Sequence, residues 1–430
     1  MMFSMAPATP TWVEHMSLHR WYAISGDHPE LGLAPTTPGT RYLIDTDPAR
    51  DPELNPPRTI KERLRRLLGR EPKSPWHGVA GFSAITEGWN GAAYASRYGS
   101  SGSMIVFGGG HNDYFGSDVH AFDLASREWR RIADGYVSGS DEEYGAGARY
   151  PDSLYPDGSP LPPHTYDYVQ YDPVGNDYLL FKGQTELGPE VKAVAIPHLF
   201  NLDTLTWRHG PQHPTAILNS GGWTTWDASR RAVWGHSGDD GGGNAFIGFS
   251  PDGDNGDGTF GRWLDRFPSK LPGLANHNAM QIDPLRDIIV VSVHAHDDLF
   301  AIDPADPERE IVRLKSTGSK PVLRPYAAME YAPNIDRLVY FSPLDGGIVY
   351  TIAAPRASAS RDKFVGQWTW HADERAAGTL DPIRDAASRS RYPVNLSQTF
   401  GRFRIASFGA IDLAVLVRHV DSPVYAMRLT

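Results

Sequence analysis

Short runs of Val, Leu, Ile and Phe recur along this chain, each announced by the same local pattern. An aromatic residue or Ile comes first, then Asp or Ala, then Pro, Ala or Ser, then a few polar residues and the apolar run. The copies are Tyr94-Ala95-Ser96 leading to MIVF, Tyr171-Asp172-Pro173 to YLLF, Trp226-Asp227-Ala228 to AVW, Ile282-Asp283-Pro284 to IIVV, and Tyr331-Ala332-Pro333 to LVYF. Their starts lie 77, 55, 56 and 49 residues apart, and a sixth, degenerate copy runs through TFGRFRIASF, LAVLVRH and VYAMRL. Each copy reads as a hairpin followed by two further strands, as in FGGGHNDYFGSDVHAFDLASREWRRI, where Trp129 ends the unit.

Four short strands per unit at this period predict an all-β fold, a β-propeller whose blades pack around a central channel. The strand, glycine pair, FDL strand and Trp of 104–132 resemble the kelch repeat, and 178–207 does so less closely. The pattern counts six blades, or seven if TPTWVEHM, the TRYLIDT run near 41–46 and the C-terminal strands build a closing blade. Residues 1–76 are then an extension carrying the ring-closing strand and a short rim helix, IKERLRRLLGR, and 77–430 form the propeller. Closure by both termini leaves no unpaired sheet edge.

Composition agrees. The 430 residues include 43 Gly, 35 Pro, 12 Trp and 19 Tyr, a mix of turns and strands. A net charge of −10 with interspersed signs argues against nucleic acid as a partner, and no apolar run reaches membrane-spanning length. Zero cysteines exclude disulfides, thiolate ligands and a cysteine nucleophile, and with them the kelch-type copper oxidases that cross-link Cys to Tyr. The start, MMFSMAPATPTWVEHM, has no basic stretch and apolar core of a secretion signal. The expectation is a chain not exported by that route, or an extracellular or periplasmic one that has lost its signal.

In a four-stranded antiparallel blade, the connection into the innermost strand and the turn between the second and third strands share one face of the disc. The first position holds Trp89 and Asn90, His164 and Tyr166, Gly222 and Trp223, His277 and Asn278, Arg324 and Tyr326, and Asn395. The second holds His111 with Asp113 and Tyr114, Lys182 with Gln184, His236, and His294 with His296 and Asp297. Six of the 16 histidines thus converge on one mouth of the channel, the default ligand site of a closed β-ring. The loop GGGHNDY, 108–114, is predicted to form one wall.

The mouth supports several chemistries unequally. His294, His296 and Asp297, with His277 beside them, could hold an accessory metal such as zinc, since H-x-H places both imidazoles on one face of a strand. The loop SPDGDNGDGTFGRW, 250–263, has the spaced Asp and Gly of a calcium loop without its closing Glu, and reads as a hairpin loop first. No elbow motif supports a serine nucleophile. Only Asp113, Asp167 and Glu186 lie near enough to serve as the paired carboxylates of a glycosidase. What fits is Asn, His, Tyr and a cation. Cleaving a uronate polysaccharide by β-elimination requires neutralising the carboxylate, removing the C5 proton and protonating the departing oxygen, and no cofactor is required.

On Asn90 and His111, 21 residues apart, and Tyr166 and Lys182, 16 apart, the chain resembles the propeller-type polysaccharide lyases exemplified by ulvan lyases. That family's pattern has His where Asn90 stands and Arg where Lys182 stands. The resemblance implies His111 as base or carboxylate neutraliser, Tyr166 as acid/base, and Asn90 and Lys182 as carboxylate partners. It further implies an anionic oligosaccharide or polysaccharide as partner. The mouth position makes His164, His277, Arg324, Tyr326, Trp89, Trp223 and His236 substrate-binding candidates. Two other readings remain: a non-catalytic glycan- or receptor-binding propeller, secreted or phage-derived, in which Trp89, Trp223 and Tyr326 stack on sugars, and a protein-binding scaffold.

Overall fold

The computed structural model describes residues 7–26, 31, 33–36, 83–86, 89–109, 116–136, 150–185, 193–214, 218, 221–236, 245–264, 267–268, 277–306, 309–355, 364–373, 380–389 and 399–430. The TRYLIDT run and the basic stretch at 60–70 lie outside them.

Six antiparallel sheets form a six-bladed β-propeller. From the channel outwards, blade 1 is Ala92–Ala95, Ser103–Phe107, Val119–Asp123 and Glu128–Ala133, and blade 2 is Val169–Asp172, Asp177–Leu180, His198–Asn201 and Thr206–His209. Blade 3 is Trp223–Asp227, Ala232–His236, Ala245–Asp254 and Phe260–Trp263; blade 4 is Ala279–Asp283, Ile288–Val293, Asp298–Ile302 and Val312–Arg313. Blade 5 is Ala328–Ala332, Arg337–Phe341, Val349–Ala353 and Gln367–Asp373, with Lys315–Gly318 added in parallel at its outer edge. Blade 6 is Phe403–Phe408, Ile411–Val417, Val424–Arg428 and the N-terminal Trp21–Ala23. The six innermost strands contact one another all the way round.

The termini meet, but within the sixth blade, so they build no seventh. Trp21, Tyr22 and Ala23 pair with Met427, Ala426 and Tyr425. TPTWVEHM is not that strand. Pro10 opens a short 3-10 helix, Thr11–His15, and Trp12 is buried against blade 1 with its indole N–H donating to Leu124 O at 2.8 Å.

The repeat visible in the sequence is the turn between the first two strands of each blade. Asp172, Asp227 and Asp283 turn a side-chain oxygen back to accept from the backbone N–H of Val174, Ser229 and Leu285, at 2.9, 3.0 and 3.1 Å. Asn176, Arg231, Asp287 and Asp336 then close the turns in the left-handed region. These turns also join the blades on the face away from the mouth. Arg230 forks onto Asp287 at 2.6 and 2.8 Å, and Arg286 forks onto Asp336 at 2.6 Å for both bonds. Asn334 engages Asp412 at 2.8 and 2.9 Å, and Arg97 donates to Pro173 O at 2.8 Å. Between these polar staples and the mouth, the blade faces pack through apolar side chains such as Phe341 and Phe403, stacked 5.0 Å apart.

Candidate functional site

At the mouth, the connections into five successive innermost strands adopt the same unusual backbone. Tyr166, Gly221, His277, Tyr326 and Phe400 have φ of 44°, 72°, 68°, 64° and 45°. The left-handed region suits glycine, whereas four of these are bulky aromatic residues held there at a cost of roughly 1 kcal/mol or more each. A chain of backbone hydrogen bonds running between blades holds them. Tyr166 N donates to Trp89 O at 2.6 Å, His277 N to Gly221 O at 2.7 Å, Tyr326 N to His277 O at 3.0 Å and Thr399 N to Tyr326 O at 3.1 Å.

Their side chains meet in one basin. Tyr166 lies 5.7 Å from His277 and 5.6 Å from Phe400, and His277 lies 4.4 Å from Tyr326 between ring centroids. His164 packs edge-on to Tyr166 at 5.9 Å and carries Trp89 at 4.8 Å on its far side. The ammonium of Lys182 sits 5.0 Å from the ring centroid of Tyr166 and 5.7 Å from that of Tyr168, within cation–π range. Trp89 is exposed at the rim, His277 and Tyr326 are half-buried, and His164, Tyr166 and Lys182 are buried.

The expected site residues therefore separate. Trp89, His164, Tyr166, Lys182, His277 and Tyr326 are brought together. Asn90 is fully buried, and its side-chain oxygen accepts from Thr165 N at 2.9 Å, pinning the segment that carries Tyr166. Trp223 and His236 are cross-strand partners in blade 3, stacked at 4.4 Å with an interplanar angle of 9°, and both are buried. Trp223 also pairs with Asp167, the neighbour of Tyr166, through an isolated parallel bridge. Arg324 is exposed, with its backbone N–H donating to the Tyr340 hydroxyl at 2.9 Å. His111, Asp113, Tyr114, Glu186 and Asn395 lie outside the described residues.

The H-x-H pair differs from its expectation. The second strand of blade 4 ends at Val293, and residues 294–297 form a turn in which His296 N donates to Val293 O and Asp297 has a φ of 51°. Asp297 takes the ammonium of Lys320 at 2.8 Å and the Leu323 N–H at 2.8 Å. In the 250–263 loop, Asp254 and Asp257 accept from Gly256 N and Thr259 N, both at 2.9 Å, as turn residues. Among the described residues, no three His, Asp or Glu side chains are placed to hold a metal ion.

Below the basin, buried charged side chains reach across the channel. Arg404, from the innermost strand of blade 6, reaches Glu330 of blade 5 at 2.5 Å and Asp167 at the approach to blade 2 at 2.8 Å, and donates to Ala92 O of blade 1 at 2.7 Å. Burial pushes the Asp167 carboxyl up to about 7, Arg404 opposing and Glu330 adding to the shift. Burial likewise raises Glu330, again against Arg404. Neither Glu330 nor Arg404 stands at a strand end, which is why the two-position reading of the mouth passed over them. Their signal was a charge in mid-strand, in AMEYA and in FRIASF. Phe400 was legible as well, three residues before its strand, the offset of Tyr166.

No protein-family profile and no curated protein matches this chain. Among solved structures, it is similar to a structural genomics protein of unknown function from Bacteroides thetaiotaomicron VPI-5482, at 8% identity and a TM-score of 0.39, over 81% of this chain and 74% of that one.

Proposed function

We propose that the mouth basin binds a uronate-containing polysaccharide and cleaves it by β-elimination. The observation that carries this reading is the meeting of a phenol, an imidazole and an ammonium, Tyr166, His164 and Lys182, in an aromatic basin whose backbone is held in a strained conformation. Strained backbone held in place by its surroundings clusters at functional sites, and here the aromatic side chains it carries meet at the mouth. Aromatic faces suit the apolar faces of sugar rings, and the ammonium suits the carboxylate.

In the reaction, Lys182 offsets the carboxylate charge, so that the C5 proton becomes acidic. A base takes that proton as its electrons form the C4–C5 double bond. The glycosidic C4–O bond breaks, and the departing oxygen takes a proton from an acid. Tyr166 and His111 divide the proton transfers, with the Lys182 charge favouring negative charge on the phenol oxygen. His164, His277, Tyr326, Trp89 and Arg324 bind the flanking sugars. Asn90 acts by positioning: it holds Thr165, the neighbour of Tyr166.

A second reading, a glycan-binding propeller without catalysis, draws support from the burial of Tyr166 and the predominance of aromatic faces. Incubation with a panel of uronate polysaccharides separates the two. Ultraviolet absorbance from the unsaturated product supports elimination; retention without absorbance supports binding alone; neither retention nor absorbance removes both readings.

A further inference from the structure

We propose that Asp167, Arg404 and Glu330 hold one shared proton in the channel beneath the basin, and that this proton links the basin's affinity for an anionic sugar to pH. The linkage rests on the glycan reading above; the proton site does not.

Charge counting carries the first half. One guanidinium lies between two carboxylates, and the three side chains are 6%, 10% and 14% exposed. With both acids ionised the cluster would keep an uncompensated negative charge in a desolvated channel, which is far costlier than binding a proton. Two further N–H groups of Arg404 go to backbone oxygens, Ala92 O at 2.7 Å and Val169 O at 3.1 Å, so it cannot turn wholly to one partner. The charged groups acting on Asp167 are Arg404 and Glu330. From the second strand of blade 2, buried Tyr178 faces the same guanidinium. Blade 3 presents the Thr224 hydroxyl to the Asp167 carbonyl. Blade 6 presses Gly401 so close that a Cβ there would lie 1.9 Å from Asp167 Oδ1.

Position carries the second half. Asp167 follows Tyr166 in the chain, and Gly401 follows Phe400, so the carboxylate is flanked by the two residues whose rings, 5.6 Å apart, form the floor of the basin. A sugar carboxylate bound above adds negative charge over the cluster and so favours its protonated form. By linkage, binding takes up protons, and affinity falls as pH rises through neutrality. A neutral sugar has no such effect.

The test has two arms on the full chain. Carboxyl-carbon NMR with labelled Asp and Glu, assigned through Asp167→Asn and Glu330→Gln, follows the unliganded protein. One carboxyl titrating near neutrality, and lost in Asp167→Asn, is expected. If neither carboxyl titrates above about pH 5, the proton site is overturned. If Asp167→Asn fails to fold, Glu330→Gln serves: removing one acid leaves the other paired with Arg404 and moves its titration toward acid. Calorimetry in buffers of different ionisation heat then follows oligoglucuronate, oligogalacturonate and oligoguluronate. Greater net proton uptake is expected for the parent than for Asp167→Asn, and above neutrality the parent's affinity is expected to weaken more steeply than the variant's, by up to about a further tenfold per pH unit. Basin histidines are common to both proteins and cancel in that comparison. Binding without uptake overturns the linkage and leaves the proton site. Absence of binding by all three removes the glycan reading and the linkage with it, while the NMR arm still decides the proton site.

Discussion

The ammonium of Lys182 lies 5.0 Å from the centroid of the Tyr166 ring, on its face. Replacing Tyr166 by Phe keeps the ring, its contacts with His164, His277 and Phe400, and the packing of Lys182, and removes one hydroxyl. General acid–base catalysis is worth about 10²- to 10⁴-fold, roughly 3–5 kcal/mol of barrier, against about 1 kcal/mol for one neutral hydrogen bond to a sugar. Tyr166→Phe is therefore expected to lose nearly all turnover on a uronate polysaccharide with affinity almost unchanged. Turnover within a few-fold of the parent would move both proton transfers to the histidines.

On the opposite face, Arg286 joins its own Asp283 to Asp336 of the next blade. Asp336 is 40% exposed, so solvent screens that pair, whereas Asp283 is 2% exposed and loses a partner in a buried setting. Arg286→Ala is expected to lower unfolding free energy by roughly 1–2 kcal/mol in urea titration, with no change in glycan affinity. A change in affinity would mean that the two faces of the disc are coupled.

The propeller was legible because one turn is repeated. The left-handed residue that closes it and the apolar strand behind it are local requirements, and in blades 2, 3 and 4 an Asp caps the turn as well, so the blades display the pattern in order. Closure was harder to place. TPTWVEHM has the aromatic residue of a strand, yet Pro10 and the burial of Trp12 against Leu124 make it a 3-10 helix, and the pairing of Trp21–Ala23 is set by Val424–Arg428 some 400 residues away. The basin was half-legible for the same reason. Strand approaches show in sequence, so Tyr166, His277 and Tyr326 could be grouped, but burial depends on what packs above. Asn90 and Lys182 look alike as polar residues at strand ends. Only the fold shows that Asn90 is occupied by Thr165 N while Lys182 lies against the basin.

The outer strands of blade 2 carry an acid-sensitive pair. His209 Nε2 lies 2.9 Å from Gly158 O and must donate to it, so His209 Nδ1 accepts from His198 Nδ1, 2.9 Å away. Burial lowers both imidazoles, His198 well below its ordinary value, with its neighbour's charge adding to the effect. The unfolded chain then binds protons that the folded chain refuses, so stability is full above the ordinary histidine value and falls as pH drops below about 6.5. Each group contributes up to about 1.4 kcal/mol per pH unit in that window. Urea midpoints between about pH 7 and pH 5 are expected to fall more steeply for the parent than for His198→Asn, whose amide replaces the Nδ1 donor without titrating. Equal slopes would mean that the pair does not control acid stability.

Three blades meet at Gly91. A Cβ built there would lie 2.3 Å from Tyr166 O and 2.6 Å from Phe400 O, and the Gly91 N–H donates to Thr165 Oγ1 at 2.8 Å. Both obstructing atoms are backbone carbonyls at left-handed positions, and Tyr166 is tied to Trp89 by its own N–H, so neither can swing aside as a flexible side chain would. Gly409 is the comparison: its φ of 56° disfavours any side chain, but nothing lies within 4 Å of its would-be Cβ. Gly409→Ala is expected to cost about 1 kcal/mol, the price of the backbone conformation alone. Gly91→Ala is expected to cost more than about 3 kcal/mol, because the basin floor itself must move, and to weaken glycan binding in whatever fraction still folds. Urea denaturation of both variants measures the difference. Equal costs would show that the close approach of blades 1, 2 and 6 at the mouth is looser than these distances require.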